Sequence, residues 1–310
     1  MQEYDLIVIG GGMAGMSAAL AAARLDRKVA ILTGGVPGGE LLNIERVDGI
    51  PGHEDGIAGF DLCPITQELA DAAGAEFVME KAEDLSSEAG GWKVVSETGA
   101  EYVAPVVILA MGAHVAKMDV PGEEEFTGRG VSHCATCDGP LLRGKVAVVA
   151  GGGDSGMQEA ITLAGHVEKA IIVTREDALS GQAAYRAGVE ASARIEVVPG
   201  SEVVAIEGGD KVGKVRIRNL ASGEESEIAA DGVFSFVGLR PNLAPADGVV
   251  AIADDGRIAV DSELRTSAKG IFAAGNVRSG NGWRAAGAMG DGTNAALAAE
   301  RYLASGEWTG

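Results

Sequence analysis

At 310 residues the chain is long enough for two domains with cores of their own. Its net charge of −20, from 25 basic and 45 acidic residues, argues against binding to nucleic acid or to anionic membrane surfaces, which need concentrated Lys and Arg. Three cysteines are too few for a disulfide framework, no charged and apolar leader precedes Tyr4, and no apolar run reaches the ~18–20 residues of a membrane span, so we expect a cytoplasmic protein.

A strand, a glycine-rich turn and a helix open the chain. The apolar residues 4–9 are typical of a buried parallel strand, and they lead into GGGMAG at residues 10–15, a GxGxxG fingerprint. The glycines permit a sharp turn beside a pyrophosphate, and the small residues 13–24 predict a helix with its amino end on the phosphates. Residues 28–32 predict the next strand, which ends at Thr33 and not at the Asp or Glu of a nicotinamide site. A strand, glycines and helix in one frame favour a dinucleotide site over a turn without a ligand.

Strand and helix patterns continue to residue 111. A helix is expected near residues 61–73, in which Cys63 is interpreted as a small core residue. Residues 92–97 and 101–103 predict a β-hairpin, and residues 106–111 predict the strand that closes the first sheet.

A CxxC motif lies just after the chain enters a second predicted domain near residue 117. Cys134 and Cys137, three positions apart, can close a small disulfide ring, and the carboxylate of Asp138 can exchange protons with the thiol that leaves. Zinc is the alternative ligand for these cysteines. A structural zinc site needs four N or S ligands, and the sequence has no second CxxC or HxxxH, so we predict no metal. A strand is expected next, at residues 145–150.

A second fingerprint follows that strand. Residues 151–156 (GGGDSG) repeat the GxGxxG pattern, and the strand predicted at residues 170–173 ends at Thr174-Arg175-Glu176. Glu176 comes 20 positions after Gly156, where a dinucleotide fold places the acid that binds the ribose. This carboxylate would accept a hydrogen bond from a free 2′-hydroxyl and repel a 2′-phosphate, which predicts NADH in preference to NADPH.

The last stretch predicts a strand, a polar tip and a helix. Residues 266–276 read as a strand that ends at Asn276, and GDG at residues 290–292 is expected to open a helix that runs to about residue 303. The amino end of a helix beside a flavin would stabilise negative charge on the reduced ring. Flavin folds pair such a segment with an amino-terminal GxGxxG, which favours this interpretation over an ordinary strand, loop and helix.

These motifs together resemble the low-molecular-weight thioredoxin reductases, over residues 4–302. The resemblance rests on both fingerprints, on Gly38-Gly39, on the Cys-Ala-Thr-Cys-Asp stretch, and on residues 238–242 and 270–292. It implies an α/β fold with two Rossmann-like, three-layer (ββα/βαβ) dinucleotide-binding domains, the second inserted into the first. The FAD-binding domain would comprise residues 1–116 and 244–310, and an NAD(P)-binding-like domain with the CxxC would comprise residues 117–243. A homodimer and a thioredoxin-like partner are also implied.

The resemblance also assigns roles to individual residues. Cys137 resembles the thiol that faces the flavin, Cys134 the thiol that attacks the partner's disulfide, and Asp138 the acid and base. The residues implied to bind FAD are Gly10, Gly12, Gly15, Gly38, Gly39, Glu40, Asn43, Gly112, Gly275, Asn276, Trp283, Arg284 and Ala285. The residues implied to bind a nucleotide are Gly151, Gly153, Gly156, Arg175 and Glu176.

The chain departs from the family pattern on the flavin and donor side. Glu40 replaces a Gln, Asn276 an Asp, and Trp283-Arg284 an Arg-Gln pair, where Trp283 could stack on the flavin ring with a cation alongside or pack on the surface. The family's His-Arg-Arg with a further Arg becomes Thr174-Arg175-Glu176 with Ser180. These changes predict intact thiol chemistry fed by NADH or by a non-nicotinamide donor such as reduced ferredoxin. Ferredoxins are typically acidic, so a chain of charge −20 would need a local basic patch to bind one.

The same sequence features are compatible with two other functions. One is an FAD-dependent dithiol oxidase, which would pass electrons from a small dithiol to oxygen. The other is a flavin or dinucleotide sensor without catalytic activity. Oxygen consumption with a dithiol would identify the oxidase, and a flavin that neither thiol nor nucleotide reduces would identify the sensor.

Overall fold

The computed structural model describes residues 1–308 and divides the chain into two compact units. One unit consists of Met1–His114 with Pro241–Gly310, and the other of Val115–Arg240. The boundaries expected from the sequence, before residues 117 and 244, lie a few residues further along the chain. Strands are numbered β1–β19 and helices α1–α6 in chain order. No helix of residues 1–308 is both long and apolar enough to cross a membrane.

The first unit is built on a parallel sheet whose strands are almost entirely buried, as the apolar runs predict. In spatial order the strands are β19 (Ile271–Ala273), β8 (Val106–Leu109), β2 (Leu6–Ile9), β3 (Val29–Leu32) and β4 (Glu76–Val78). The register pairs Ile9 with Leu109 and Leu109 with Ala273. The residues that follow β2, β8 and β19 therefore lie side by side at the carboxyl edge of the sheet, where open α/β sheets bind their ligands.

Helices cover one face of this sheet and an antiparallel layer covers the other. Alternation along β2 sends Leu6 and Val8 to the helical face and Ile7 and Ile9 to the other face. The helices are α1 (Met13–Arg24), α2 (Gly59–Ala72) and α6 (Ala285–Ser305). The second layer contains, in spatial order, β1 (Gln2–Glu3), β7 (Glu101–Ala104), β6 (Gly91–Ser96) and β5 (Ala82–Glu88), and β6 and β7 form the expected antiparallel hairpin.

The second unit repeats this three-layer plan. Its parallel sheet contains, in spatial order, β10 (Val131–Ser132), β17 (Gly232–Ser235), β11 (Val146–Ala150), β12 (Lys169–Val173) and β13 (Ile195–Val198). Its antiparallel layer contains β14 (Ser201–Gly208), β15 (Val212–Asn219) and β16 (Glu225–Ala229). Its helices are α3 (Ala135–Asp138), α4 (Asp154–Ala164) and α5 (Ala183–Ala191). The remaining strands, β9 (Ala113–Val115) and β18 (Leu239–Pro241), pair with each other where the chain passes between units. The predicted α/β fold of two Rossmann-like domains is confirmed.

The last helix begins earlier than the sequence predicts. α6 starts at Ala285 and not at the GDG of residues 290–292. Glycines lower intrinsic helix propensity, which is why the pattern placed the start too late. Packing of α6 against α1 through small buried residues such as Ala295 and Ala299 outweighs that preference. Arg284 consequently occupies the N-cap position of α6.

α1 and α6 approach so closely that their contact leaves no room for a side chain. A Cβ atom added to Gly292 would overlap the carbonyl oxygen of Ala14 and lie 3.0 Å from the amide nitrogen of Ala18. A Cβ atom added to Gly290, two positions earlier in the same helix, would meet nothing within 4 Å. Two glycines of one helix thus face different packing constraints.

We expect Gly292→Ala to destabilise the protein by about 1–3 kcal/mol, because the helices must separate to admit the methyl group. The matched variant Gly290→Ala should change stability by no more than about 1 kcal/mol, in the stabilising direction, because it only restores helix propensity. Urea unfolding followed by circular dichroism measures both. Equal effects of the two variants would show that the close contact does not limit the packing of α6.

Candidate active site

A disulfide between Cys134 and Cys137 lies in the second unit, at the short helix α3. The two Cα atoms are 5.3 Å apart. Cys137 is exposed and Cys134 is partly buried. The amide of Cys137 donates a hydrogen bond to Sγ of Cys134 at 3.1 Å. This bond would stabilise negative charge on the Cys134 sulfur once the disulfide is reduced, which suits a nucleophilic thiolate.

Side chains outside the motif fix the backbone of the disulfide loop. Oγ of Ser132 accepts a hydrogen bond from the amide of Cys134 at 3.1 Å. Oε2 of Glu159, a buried residue of α4, accepts one from the amide of Ala135 at 2.8 Å. A buried carboxylate requires such donors, because burial without them costs several kcal/mol. Sequence reasoning missed Glu159, although its helical spacing from Gly156 and Leu163 places it on the buried face of α4.

Asp138 ends α3, and its amide donates to the carbonyl oxygen of Cys134 at 3.1 Å. The proposed acid and base is therefore held one helical turn from the first cysteine. The third cysteine, Cys63, is buried in α2 of the first unit, and burial raises the pKa of its thiol to about 11. Cys63 thus stays protonated at neutral pH and behaves as the core residue that the sequence predicts. Among residues 1–308, no three His, Cys, Asp or Glu side chains are grouped to hold a metal ion.

The first fingerprint forms an open turn at the amino end of α1. Gly10 has a φ of +113°, and a Cβ there would overlap the backbone of Ala110. Gly12 is the N-cap of α1, without a capping side chain, and space is open where its Cβ would lie. Gly15 packs directly on Gly10, since a Cβ would overlap the carbonyl oxygen of Gly10. The uncapped amides and the open space beside them suit a pyrophosphate.

Other predicted flavin residues lie around this turn. Gly38 donates its amide to the carbonyl of Gly11 at 2.8 Å, and a Cβ on Gly39 would lie 3.6 Å from Cα of Gly12. Glu40 and Asn43 follow in an exposed 3₁₀ turn, Gly39–Asn43. At the same sheet edge, Gly112 follows β8, and its carbonyl accepts the amide of Asn242 at 3.0 Å. The structure thus brings Gly38 and Gly39 to the fingerprint and Gly112 to the same edge, and leaves Glu40 and Asn43 exposed beside them.

Asn276 carries an unsatisfied buried acceptor. It follows β19, and its Oδ1 is buried without a hydrogen-bond partner among the described residues. The preceding Gly275 packs against α1, where a Cβ would come 2.7 Å from Cβ of Ala14. A buried acceptor without a donor costs about 1–3 kcal/mol, so its persistence indicates that a ligand supplies the donor. A hydroxyl-rich cofactor that extends from the fingerprint, such as FAD, fits this requirement.

The carboxylate of Asp291 ties the end of β19 to α6. It is buried and accepts hydrogen bonds from the amide of Gly275 at 3.0 Å and from Nδ2 of Asn281 at 2.8 Å. Arg278 binds it in a bidentate manner, with Nε at 2.7 Å and Nη2 at 2.6 Å. These four donors compensate the desolvation of the charge.

Trp283 is positioned by the same network. Its amide donates to Oδ1 of Asn281 at 2.9 Å, and its backbone is in the left-handed region with a φ of +58°. The guanidinium of Arg257 lies 4.6 Å from the centroid of the indole ring, which is partly exposed. The cation beside Trp283 is thus Arg257, while Arg284 and Ala285 begin α6. Sequence spacing could not have found Arg257, which lies on a separate loop.

The second fingerprint has the same geometry as the first. Gly151 has a φ of +123°, and a Cβ on Gly156 would overlap the carbonyl oxygen of Gly151. Gly153 is the N-cap of α4 without a capping side chain, again beside open space. The amide of Ser180 donates to the carbonyl of Gly152 at 3.1 Å, which holds the loop after β12 close to this turn. These features suit a second dinucleotide pyrophosphate.

The residues expected to determine whether NADH or NADPH binds follow β12. Oγ1 of Thr174 accepts the amide of Glu176 at 3.4 Å, and the Glu176 carbonyl accepts the amide of Gly200 at 3.0 Å. Arg175 forms a salt bridge with Glu202, in which Nη1 of Arg175 lies 3.0 Å from Oε2 of Glu202. Sequence reasoning missed Glu202, which lies on another strand.

Comparison with known proteins places the chain in one family. The family model described as pyridine nucleotide-disulphide oxidoreductase matches residues 4–292. The chain is 37% identical over 304 residues to the thioredoxin reductase of Treponema pallidum, with 97% of each chain covered. It is 38% identical over 302 residues to the bifunctional thioredoxin reductase/thioredoxin of Mycobacterium leprae. That alignment spans 97% of this chain and 66% of the relative. The crystal structure of Lactococcus lactis thioredoxin reductase (FR conformation) superposes with a TM-score of 0.93 at 34% identity, over 97% of this chain and 99% of the other.

Proposed function

We propose that this chain, which belongs to the pyridine nucleotide-disulphide oxidoreductase family, reduces the disulfide of a thioredoxin-like protein. It is a thioredoxin reductase-like flavoprotein, an FAD-dependent oxidoreductase that acts on a disulfide. The observation that carries the proposal is the Cys134–Cys137 disulfide, held by Ser132 and Glu159. The M. leprae relative, whose name joins thioredoxin reductase to thioredoxin, supports the choice of partner.

The chain's own residues suffice for exchange with a protein disulfide. Once the Cys134–Cys137 disulfide has been reduced by two electrons, the Cys134 thiolate attacks one sulfur of the partner's disulfide. The partner's other sulfur leaves as a thiolate that takes up a proton. Cys137 then attacks Sγ of Cys134, which re-forms the ring and releases the reduced partner. Asp138 supplies and recovers the proton of the leaving thiol. The amide of Cys137 favours Cys134 as the first nucleophile because it donates to that sulfur.

FAD, when bound, supplies two-electron transfer between an external donor and the disulfide. We assign its pyrophosphate to the turn of Gly10, Gly12 and Gly15, with Gly38 and Gly39 beside it. We assign Oδ1 of Asn276 to a donor group of the cofactor, since it lacks a partner in the protein. The remaining residues assigned to this site are Glu40, Asn43, Gly112, Gly275, Trp283, Arg284 and Ala285.

The surface beside the disulfide supports a protein partner. Leu141 follows the CxxC by four positions, and 75% of it is exposed. A docked protein would bury this side chain, whereas a small dithiol would leave it exposed. This observation favours the reductase over the dithiol oxidase.

We assign the first attack to Cys134 and test the assignment by trapping the mixed disulfide. Cys137→Ser should displace thionitrobenzoate from a single-cysteine thioredoxin that has been activated as its thionitrobenzoate mixed disulfide. The product should be a stable mixed disulfide between the two proteins, because the resolving thiol is absent from both. Disulfide reduction should fall on the order of a thousandfold or more in either single cysteine variant. Intact mass and peptide mapping identify the linked cysteine. Cys63→Ala is the control, and it should retain activity because Cys63 is buried and takes no part in exchange. Trapping through Cys137 in a Cys134→Ser variant, with none through Cys134, would reverse the two roles.

We propose NADH as the donor at the second fingerprint. A 2′-phosphate about 4 Å from Glu176 would be repelled by roughly 1 kcal/mol in water and 4 kcal/mol at an effective dielectric of 20. Arg175, the only basic residue of positions 174–180, is already paired with Glu202. The net charge of −20 disfavours an acidic ferredoxin as the alternative donor.

NADH should therefore exceed NADPH in kcat/KM by about tenfold or more. Glu176→Arg with Ser180→Arg should move the ratio toward NADPH, because both cations would lie near the 2′-position. Glu190→Arg makes a similar charge change on the exposed side of α5 and should leave the ratio unchanged. Anaerobic reduction of the flavin by each nucleotide is the measurement. A wild-type preference for NADPH would contradict the proposal, and reduction only by reduced ferredoxin would replace the nucleotide as donor.

We propose that two copies of the chain associate through α2. The outer side of this helix exposes two neighbouring i,i+4 apolar pairs, Phe60 with Pro64 and Ile65 with Leu69. Phe60 is 59% exposed and Leu69 is 55% exposed, which is unusual for large apolar side chains on one helix. Such patches mark protein interfaces, and the resemblance to thioredoxin reductases implies a second copy as the occupant.

Phe60→Glu with Leu69→Glu should reduce the mass in solution from twice 31.4 kDa to a single chain, because four like charges would face each other across the interface. The control is Leu25→Glu, an exposed leucine at the end of α1. Light scattering with size-exclusion chromatography reports the masses. A dimer that survives the double substitution would place the interface elsewhere, and a monomeric wild type would end the proposal.

A further inference from the structure

Glu202 is fixed beside the end of β12 by the backbone. The amide of Ser201 donates a hydrogen bond to the carbonyl of Thr174 at 2.8 Å, and the amide of Gly200 donates one to the carbonyl of Glu176 at 3.0 Å. The loop that opens β14 therefore runs alongside residues 174–176. This places Glu202 next to Arg175 at the point where the second fingerprint would present the ribose of its nucleotide.

The carboxylate of Glu202 lies between two guanidinium groups. Oε2 of Glu202 lies 3.0 Å from Nη1 of Arg175, and Oε1 accepts from Nε of Arg218 at 3.0 Å, with Nη2 of Arg218 also bound. The register of β14 with β15 sets Glu202 directly opposite Arg218. The side chain of Glu202 is 15% exposed, whereas that of Arg175 is 74% exposed. Glu202 is thus the anchored member of the pair with Arg175.

This ion pair competes with a phosphate for the same donors. A guanidinium binds phosphate oxygens through the N–H groups with which it binds a carboxylate. An arginine near the end of the second strand is the group that accommodates a 2′-phosphate in dinucleotide folds. Arg175 has that position but gives its Nη1 to Glu202.

We propose that Glu202 is a specificity-determining residue for the nucleotide of the second fingerprint. Because Glu202 is paired with Arg175, the Arg175 guanidinium is not available to neutralise a 2′-phosphate. Glu202 also adds a second negative charge to that of Glu176. The ligand selected is an adenosine nucleotide with a free 2′-hydroxyl. The inference rests on the proposed use of a nicotinamide nucleotide, and it adds a residue 26 positions after Glu176 that acts through Arg175.

Calorimetric titration of the FAD-loaded protein at low ionic strength tests the proposal with two probes. Adenosine 2′,5′-bisphosphate carries the 2′-phosphate, and adenosine 5′-monophosphate has the free hydroxyl. In Glu202→Gln, which keeps an acceptor for Arg218, the bisphosphate should bind about three- to tenfold tighter, as expected for the gain of one partly exposed cation. Binding of the monophosphate should change by less than about twofold.

Arg175→Gln gives the decisive comparison. In the wild-type background it should alter bisphosphate binding by less than about twofold, because Glu202 already occupies Arg175. In the Glu202→Gln background it should cancel the gain. The matched control is Glu227→Gln, which removes one charge from the same sheet where Glu227 binds Lys214 at 2.6 Å, and it should leave the bisphosphate affinity unchanged.

The outcomes separate this inference from the proposed donor. If the wild type prefers the monophosphate and Glu202→Gln does not shift the preference, the role of Glu202 is refuted while the donor proposal stands. A gain that survives Arg175→Gln, or that Glu227→Gln reproduces, also refutes that role, because it would be a general charge effect. Absence of binding of both probes to every variant would overturn the nucleotide donor together with this inference. Thermal unfolding of each variant confirms that the fold is retained.

Discussion

The unit of residues 1–114 and 241–310 depends on one buried carboxylate. Asp291 would be costly to bury alone, since an uncompensated ion loses several kcal/mol of solvation. Its four donors come from Gly275, Arg278 and Asn281, so the charge holds the loop after β19 against α6. Asn276 follows the first of these donors, and Trp283 is bound to the last. The position of both residues is thus set by an ion that need not touch the cofactor itself.

The two units reuse one framework and differ where chemistry requires it. In each, a threonine directly follows the strand after the fingerprint helix, β3 or β12, and packs on the middle glycine of the fingerprint, as Thr33 does on Gly11 and Thr174 on Gly152. The next residue is Gly34 in one unit and Arg175 in the other. The first unit therefore presents a neutral strand end, while the second presents Arg175, paired with Glu202, and the exposed Glu176. The packing is repeated, and the charge at the strand end differs.

The sequence predicts what depends on local pattern. α1 begins and ends as predicted, because its small residues and the glycine turn before it act over one helical turn. The start of α6 was wrong, because contact with α1 outweighed the low helix propensity of its glycines. The CxxC can be recognised in the sequence because both thiols lie within four consecutive residues. Glu159 and Glu202 act on Ala135 and Arg175 across more than twenty positions, and only the fold brings those pairs together.

The interrupted course of the first unit affects how the protein emerges from the ribosome. β8 is complete at Leu109, but its outer neighbour β19 is not made until residues 271–273. At about 5–20 residues per second, synthesis of residues 110–270 takes roughly 8–30 seconds, during which the edge of β8 has no strand to pair with. Unpaired apolar edges are templates for aggregation. Unit 115–240 is contiguous and can fold during that interval, so the nascent chain carries a folded domain joined to a sheet that still lacks β19, one of its five strands. Slow translation would prolong that vulnerable state, and chaperone binding to residues 1–109 would shield it.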